Sequence, residues 1–360
     1  MLPELTQRLQ SEWEGLFPDV PRPSTIRYLG LPGSIEGGTA TFLGFGDDRS
    51  RPDFAVKVHR DPTRGALAWV ERENLGALRT ASGRLASTVP RAILCEAFAG
   101  RWMLAVSIVD GRPMGIQMTS SGTPDTEAAK TDFAIVTDWL CELHEATLDR
   151  TAPARAAAEA CATGAVRMFL ETFPLSVAER DRVERVEKAL PALLDSGVVL
   201  GHGDFCRHNV LVTRRPYIGV IDWTQSERHS VAGRDLFFFL ATYFLQVRTQ
   251  HGIEGFLGAF EDTFFRDTAY GGLIRECVRR YAERVRIDPG TLRDRFALAM
   301  IRQAVDEYQM VLRCARRAGL PRFITYLAAL RNATYDEAQH EQLWARFFQR
   351  FVAREGDCVL

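Results

Sequence analysis

Three short apolar runs, Val198 to Leu200, Val210 to Val212 and Ile218 to Ile221, follow one another within 24 residues, and the last leads into Asp222-Trp223. Runs this short, bounded by Gly, Asn and Pro, read as short buried strands rather than helices. A fold built on them fixes the polar side chains in between, because each is held at the end of a buried strand. Those side chains are His202, Asp204, Asn209 and Asp222.

Two carboxylates and one carboxamide in this order meet the needs of phosphoryl transfer. An attacking hydroxyl needs a carboxylate to orient it and take its proton, and magnesium on a nucleoside triphosphate needs hard oxygen ligands. Asp204 suits the first task. Asn209, five positions on, and Asp222 suit the second. A lone His-Gly-Asp tripeptide is ordinarily only a turn; the ordered set His202, Asp204, Asn209, Ile221, Asp222 and Trp223 is more specific. It resembles the catalytic core of the aminoglycoside phosphotransferase and choline kinase superfamily, relatives of the protein kinases, in which His-Gly-Asp, an Asn several residues on and Ile-Asp-Trp recur in this order.

The resemblance implies an amino-terminal lobe with a strand lysine, a helical carboxylate that pairs with it, and a flexible glycine loop ahead of both. Phe54-Ala-Val-Lys57-Val58 alternates as a strand should, and Lys57 is the lysine that would reach the phosphates. Residues 66 to 78 have a helical composition, and Glu71 stands where the family carries the pairing carboxylate, with Glu73 on another face. The segment from Gly30 to Gly44 reads as two strand halves joined by a Gly/Ser turn. Ser34, Gly37, Gly38 and Thr39 are the residues whose backbone would cover phosphates. It lacks both Gly-Lys-Ser/Thr and Gly-x-Gly-x-x-Gly, so a Walker P-loop and a dinucleotide fold have no support. By the same resemblance Ser107, Ile108 and Val109, at the end of a strand starting near Trp102, form the hinge that meets the nucleobase. His144 and His202 would support the catalytic loop rather than do chemistry, and Cys206 has no catalytic task.

A chain of 360 residues suits two lobes better than one core. The expected fold is α+β and two-lobed, protein-kinase-like: residues 1–109 with a small antiparallel sheet and one helix bind the nucleotide, and a larger, mostly α-helical lobe, 110–360, binds the acceptor. Residues 3 to 17 read as an accessory amphipathic helix, 131 to 145 as a helix closing on His144, and 226 to 354 as almost wholly helical. With 45 basic against 46 acidic residues no global field recruits nucleic acid or an anionic membrane. The apolar run from Leu236 to Leu245 is too short to span a bilayer, and the first residues do not read as a secretory signal. Seven scattered cysteines without a Cys-x-x-Cys pair argue for reduced thiols in the cytoplasm and against a zinc site.

The expected activity is transfer of the γ-phosphate of ATP or GTP, with Mg2+, to a hydroxyl of a small molecule such as an antibiotic, amino alcohol or sugar. The alternatives are a catalytically silent nucleotide-binding scaffold and a kinase-like nucleotidyl transferase. A protein acceptor fits less well, because Asp222-Trp223 stands where protein kinases have Asp-Phe-Gly and no Ala-Pro-Glu follows. Arg207, before Asn209, is an extra cation that favours an acidic or neutral acceptor over a polycationic one. Glu227, Asp235, Asp306 and Glu307 are the acids available to a cationic acceptor, with Asp235 equally able to stabilise the turn after Asp222.

Overall fold

The computed structural model describes residues 2–18, 20–30, 39–47, 50–59, 65–98, 100–118, 124–213, 217–244, 252–317 and 337–360. Ser34, Gly37 and Gly38 lie outside the described residues. The chain divides into two compact units, Met1–Arg112 with Leu211–Ser226, and Pro113–Val210 with Glu227–Leu360.

The first unit opens with α1 (Leu2–Ser11) and α2 (Trp13–Leu16). The single helix expected over residues 3 to 17 is broken at Glu12, whose φ of -118° is not helical. Strands β1 (Arg27–Gly30), β2 (Thr39–Phe45), β3 (Phe54–His59), β4 (Ala92–Phe98) and β5 (Arg101–Ser107) form one antiparallel sheet in the order β1-β2-β3-β5-β4. Successive side chains of a strand point to opposite faces. Phe54, Val56 and Val58 therefore share one face, packed with Leu5, Leu9, Trp13 and Phe17 in a single buried cluster. Each such side chain taken from water contributes about 1.5–3 kcal/mol. Lys57 is left on the opposite face, towards α3 (Gly65–Ala81), which turns Ala68, Glu71, Asn74, Leu75 and Leu78 inward. A six-residue helix, α4 (Gly83–Thr88), follows, its N-cap Ser82 accepting from the Leu85 N–H.

A two-residue strand, β6 (Arg112–Pro113), lies where the chain leaves this unit. The return segment carries the end of β8 (Val210–Val212), β9 (Ile218–Val220) and a 3-10 turn over Trp223–Gln225. It departs from the expected division at 109/110, because the 3-10 turn packs on α3 and β9 packs on α4. The first unit runs on to Arg112 and takes in Leu211–Ser226, Asp222 included.

The second unit is built from α5 (Thr126–Thr147), α6 (Ala152–Thr172), α7 (Val177–Asp195), α8 (Arg234–Tyr243), α9 (Gly252–Phe264), α10 (Ala269–Val285), α11 (Leu292–Arg317) and a last helix over Glu337–Ala353. Within it, β7 (Val198–Gly201) and β10 (Glu227–Val231) pair antiparallel. β10 corrects the helical reading of residues 226 onward: Glu-Arg-His-Ser-Val has no strong strand pattern, and the ladder to β7 decides its conformation. The strands approach so closely that a Cβ on Gly201 would lie 2.7 Å from the Ser230 Cβ. The apolar run in α8 is buried, from Leu236 to Ala241, and among the described residues no helix is long and apolar enough to cross a membrane.

Candidate active site

In the first unit Lys57 is the centre of a buried polar cluster. Its ammonium donates to Glu71 Oε1 (2.5 Å), Asp222 Oδ1 (2.7 Å) and Thr224 Oγ1 (3.0 Å), so all three of its protons have an acceptor. Burial by itself pulls the Lys57 pKa down, but the charges of Asp222 and Glu71 outweigh it and the net shift is upward. Lys57 stays protonated. Burial, with the Asp222 charge adding to it, pushes the Glu71 carboxyl up against the opposing pull of Lys57. Glu71 is 2% exposed, whereas the Asp222 side chain is 48% exposed, so only one of the two carboxylates has broad access to solvent. Glu73 is exposed on α3.

Asp222 adopts φ 64°, a left-handed conformation that Asp and Asn tolerate better than other residues with a side chain. The turn is fixed on both sides. Trp223, fully buried, donates from Nε1 to the Val220 carbonyl, and Ser226 Oγ donates to the Trp223 carbonyl at 2.6 Å while accepting from Asn74 Nδ2 at 2.9 Å. Ser107, Ile108 and Val109 line one cleft with Thr88, Tyr217 and Gly219. The Ser107 hydroxyl accepts from the Arg91 N–H. Thr39 pairs with His59 across β2 and β3.

In the second unit the loop after β7 carries Asp204. Asp235, at the start of α8 and 2% exposed, accepts the His202 N–H on Oδ2 (2.7 Å) and the Gly203 N–H on Oδ1 (3.0 Å). Gly203, at φ 81°, makes the bend. The Asp204 N–H then donates to His202 Nδ1 (3.3 Å), which leaves the neutral ring's proton on Nε2. Phe205, fully buried, stacks on Trp139 of α5 at 5.6 Å. Asn209 Nδ2 donates to the Asp204 carbonyl (2.9 Å) and carboxylate (3.0 Å). Its amide nitrogen is thus turned to Asp204, and its oxygen is the end that suits a hard cation.

The remaining expectations sort by contact. His144 is buried, shares a hydrogen bond with the Tyr281 hydroxyl, and is pulled down to about 4 by burial against the opposing charge of Asp235, so it is neutral at pH 7. Arg207 donates to the Met114 carbonyl (3.2 Å), and burial lowers its pKa. Cys206 is half-buried. Glu227 and Asp306 are ion-paired with Arg234, at 3.0 and 2.6 Å. Asp235 anchors the loop before Asp204. Glu307, the fourth acid, accepts from Gln303 Nε2 (3.3 Å) and has no ion pair with a cation among the described residues. Burial, with the charges of Asp204 and Asp306 adding to it, pushes its carboxyl up to about 8. Thr224, Ser226 and Asn74 escaped the sequence reading. Hydroxyls two residues apart after an Asp look like any turn, and only the inward register of α3 over Glu71 and Asn74 signals their partners.

The chain matches the phosphotransferase enzyme family over residues 40–261. No curated protein matches it. A putative aminoglycoside phosphotransferase from Ralstonia eutropha JMP134 is similar in structure with a TM-score of 0.62 at 14% identity, covering 97% of this chain and 98% of the other. The aminoglycoside phosphotransferase APH(3'')-Id from Streptomyces rimosus, solved in complex with ADP and streptomycin, gives a TM-score of 0.48 at 17% identity over 82% of this chain and 98% of that one. The first of these likenesses shows the two-lobed, protein-kinase-like fold. With the family match spanning more than half its length, the chain belongs to the phosphotransferase enzyme family, whose members are small-molecule kinases.

Proposed function

We propose that the protein transfers the γ-phosphoryl group of ATP or GTP to a hydroxyl of a small molecule. The observation that carries this reading is the buried Lys57 ammonium, held by Glu71 and Asp222 together. A protonated lysine on the face of the sheet away from the apolar core has no packing task there, and its charge suits nucleotide phosphates. Glu71 keeps that ammonium in place. Ser107, Ile108 and Val109 would meet the nucleobase, and Thr39, with Ser34, Gly37 and Gly38, would cover the phosphates.

Asp204 would orient the acceptor hydroxyl and take up its proton. The Asn209 amide on its carboxylate and the His202 ring on its N–H restrict its rotation. Asn209, by its amide oxygen, and Asp222, by its half-exposed carboxylate, are hard donors that fit magnesium, an ion held by one or two carboxylates together with substrate phosphates. When bound, the ion would neutralise charge on the β- and γ-phosphates. Catalysis is then positioning and electrostatics. The acceptor is a hydroxylated small molecule, of neutral or acidic character if Arg207 bears on it, and a cytoplasmic setting suits the reduced cysteines.

A coupled nucleotide-turnover screen across aminoglycosides, peptide antibiotics, amino alcohols, sugars and nucleosides, run beside Asp204→Ala, tests this. Turnover with one acceptor that vanishes in the variant names the class. Nucleotide binding without transfer to any acceptor would instead favour the silent scaffold.

A further inference from the structure

We infer that Thr224 is a positioning residue whose single hydroxyl proton serves Glu71 and Asp222 in turn, tying the Asp222 carboxylate to Lys57 and α3. This rests on the reading of Asp222 as a cation ligand. Thr224 Oγ1 lies 2.8 Å from Asp222 Oδ1, 3.1 Å from Glu71 Oε2 and 3.0 Å from Lys57 Nζ. Lys57 has no lone pair, and toward both carboxyl oxygens the hydroxyl is the donor, so only the Lys57 contact is one in which it accepts. Its own proton then goes to one carboxylate at a time. Lys57 keeps three acceptors in either arrangement, and Glu71 holds the ammonium on Oε1 whether or not Oε2 receives the threonine proton.

The consequence lies in Asp222. With the threonine proton turned to Glu71, Oδ1 of Asp222 gains lone-pair capacity for a cation without any heavy atom moving. A second contact fixes the pivot: Ser226 accepts from Asn74, one turn along α3 from Glu71 and on the same face, so residues 222–226 are bound to the helix at two points. Asn74 is 2% and Ser226 6% exposed, so water does not substitute readily for either partner.

The test is manganese binding to the full chain by electron paramagnetic resonance, with a non-hydrolysable ATP analogue present, for the wild type, Thr224→Val, Thr224→Ser and Asp222→Asn. Valine keeps the shape and removes the hydroxyl. In the cation-bound arrangement the hydroxyl bonds Glu71 and holds the 222–226 turn on α3, so Thr224→Val, which releases that turn, should bind manganese more weakly, by up to about tenfold, and Thr224→Ser should restore wild-type affinity. Thermal unfolding without metal or nucleotide shows that each variant is folded, and the serine variant keeps the test open if the valine one is not. Wild-type affinity in Thr224→Val beside a loss in Asp222→Asn would overturn the inference while leaving the cation reading intact. Unchanged affinity in Asp222→Asn would overturn both.

Discussion

Replacing Asp235 by Asn changes one oxygen into an amide nitrogen and leaves the volume of the side chain nearly constant. The wild-type carboxylate accepts the His202 and Gly203 N–H groups at 2.7 and 3.0 Å, in a place where the side chain is 2% exposed. The amide oxygen can keep one of these bonds. The other N–H then faces an NH2 group, donor against donor, and both bonds lose the contribution of the negative charge. An unsatisfied buried donor costs about 1–3 kcal/mol, and the lost charge assistance adds about 1 kcal/mol, giving a total of about 2–4 kcal/mol. For a unit of this size each kcal/mol lowers Tm by about 2–4 °C, so calorimetry should show a decrease of about 4–16 °C. Turnover should fall as well, since the loosened loop is the one that presents Asp204, while stabilisation by nucleotide persists because Lys57 and Asp222 belong to the other unit. A variant within about 2 °C of the wild type and equally active would refute the anchoring role.

Asp204→Asn should leave nucleotide-induced thermal stabilisation in place and reduce phosphate transfer by about two to four powers of ten; full activity would remove Asp204 from the mechanism. Lys57→Ala should cost stability as well as activity, about 3 kcal/mol in denaturant unfolding, because it strands Glu71 as a buried carboxylate without a counter-charge. Glu307 titrates at about 8 in the folded protein against an ordinary 4.5, so over that range the folded state holds a proton that the unfolded chain has released. The contribution of Glu307 to stability therefore falls as pH rises from about 4.5 to 8. Glu307→Gln should lose this part of the decline in a Tm series from about pH 5 to 8.5, and curves that run parallel would argue against it.

The strands around Asp204, Asn209 and Asp222 were legible because Val198 to Leu200, Val210 to Val212 and Ile218 to Val220 are apolar runs cut off by turn residues, a purely local signal. Lys57 was legible for a related reason: the alternation of Phe54, Val56 and Val58 leaves only one face for it. β10 was not, since Glu227 to Val231 becomes a strand through its partner β7, 26 or more residues earlier. The anchoring role of Asp235 was missed because an acid in the first turn of a helix already has a local explanation in the helix dipole. Thr224 and Ser226 were missed because turn hydroxyls are common, and their partners on α3 lie about 150 residues away in sequence. What stayed hidden in each case is a long-range partner, and no window along the chain contains it.

The first unit is discontinuous: after Arg112 the chain leaves it and returns only for Leu211–Ser226. During synthesis this imposes a wait. The sheet can assemble once residue 107 has emerged, but α3 lacks the turn that covers Glu71 and Asn74 until residue 226 follows, roughly 6 to 24 s later at ordinary elongation rates. Over that interval a nascent chain holds Lys57 and Glu71 without Asp222, Thr224 and Ser226, and a fragment ending at Arg112 remains permanently in that condition. Splitting the gene at the boundary of the amino-terminal sheet therefore cannot yield a fragment with the complete Lys57 cluster, whereas a permuted chain that carries residues 211–226 directly after Arg112 has the composition to do so.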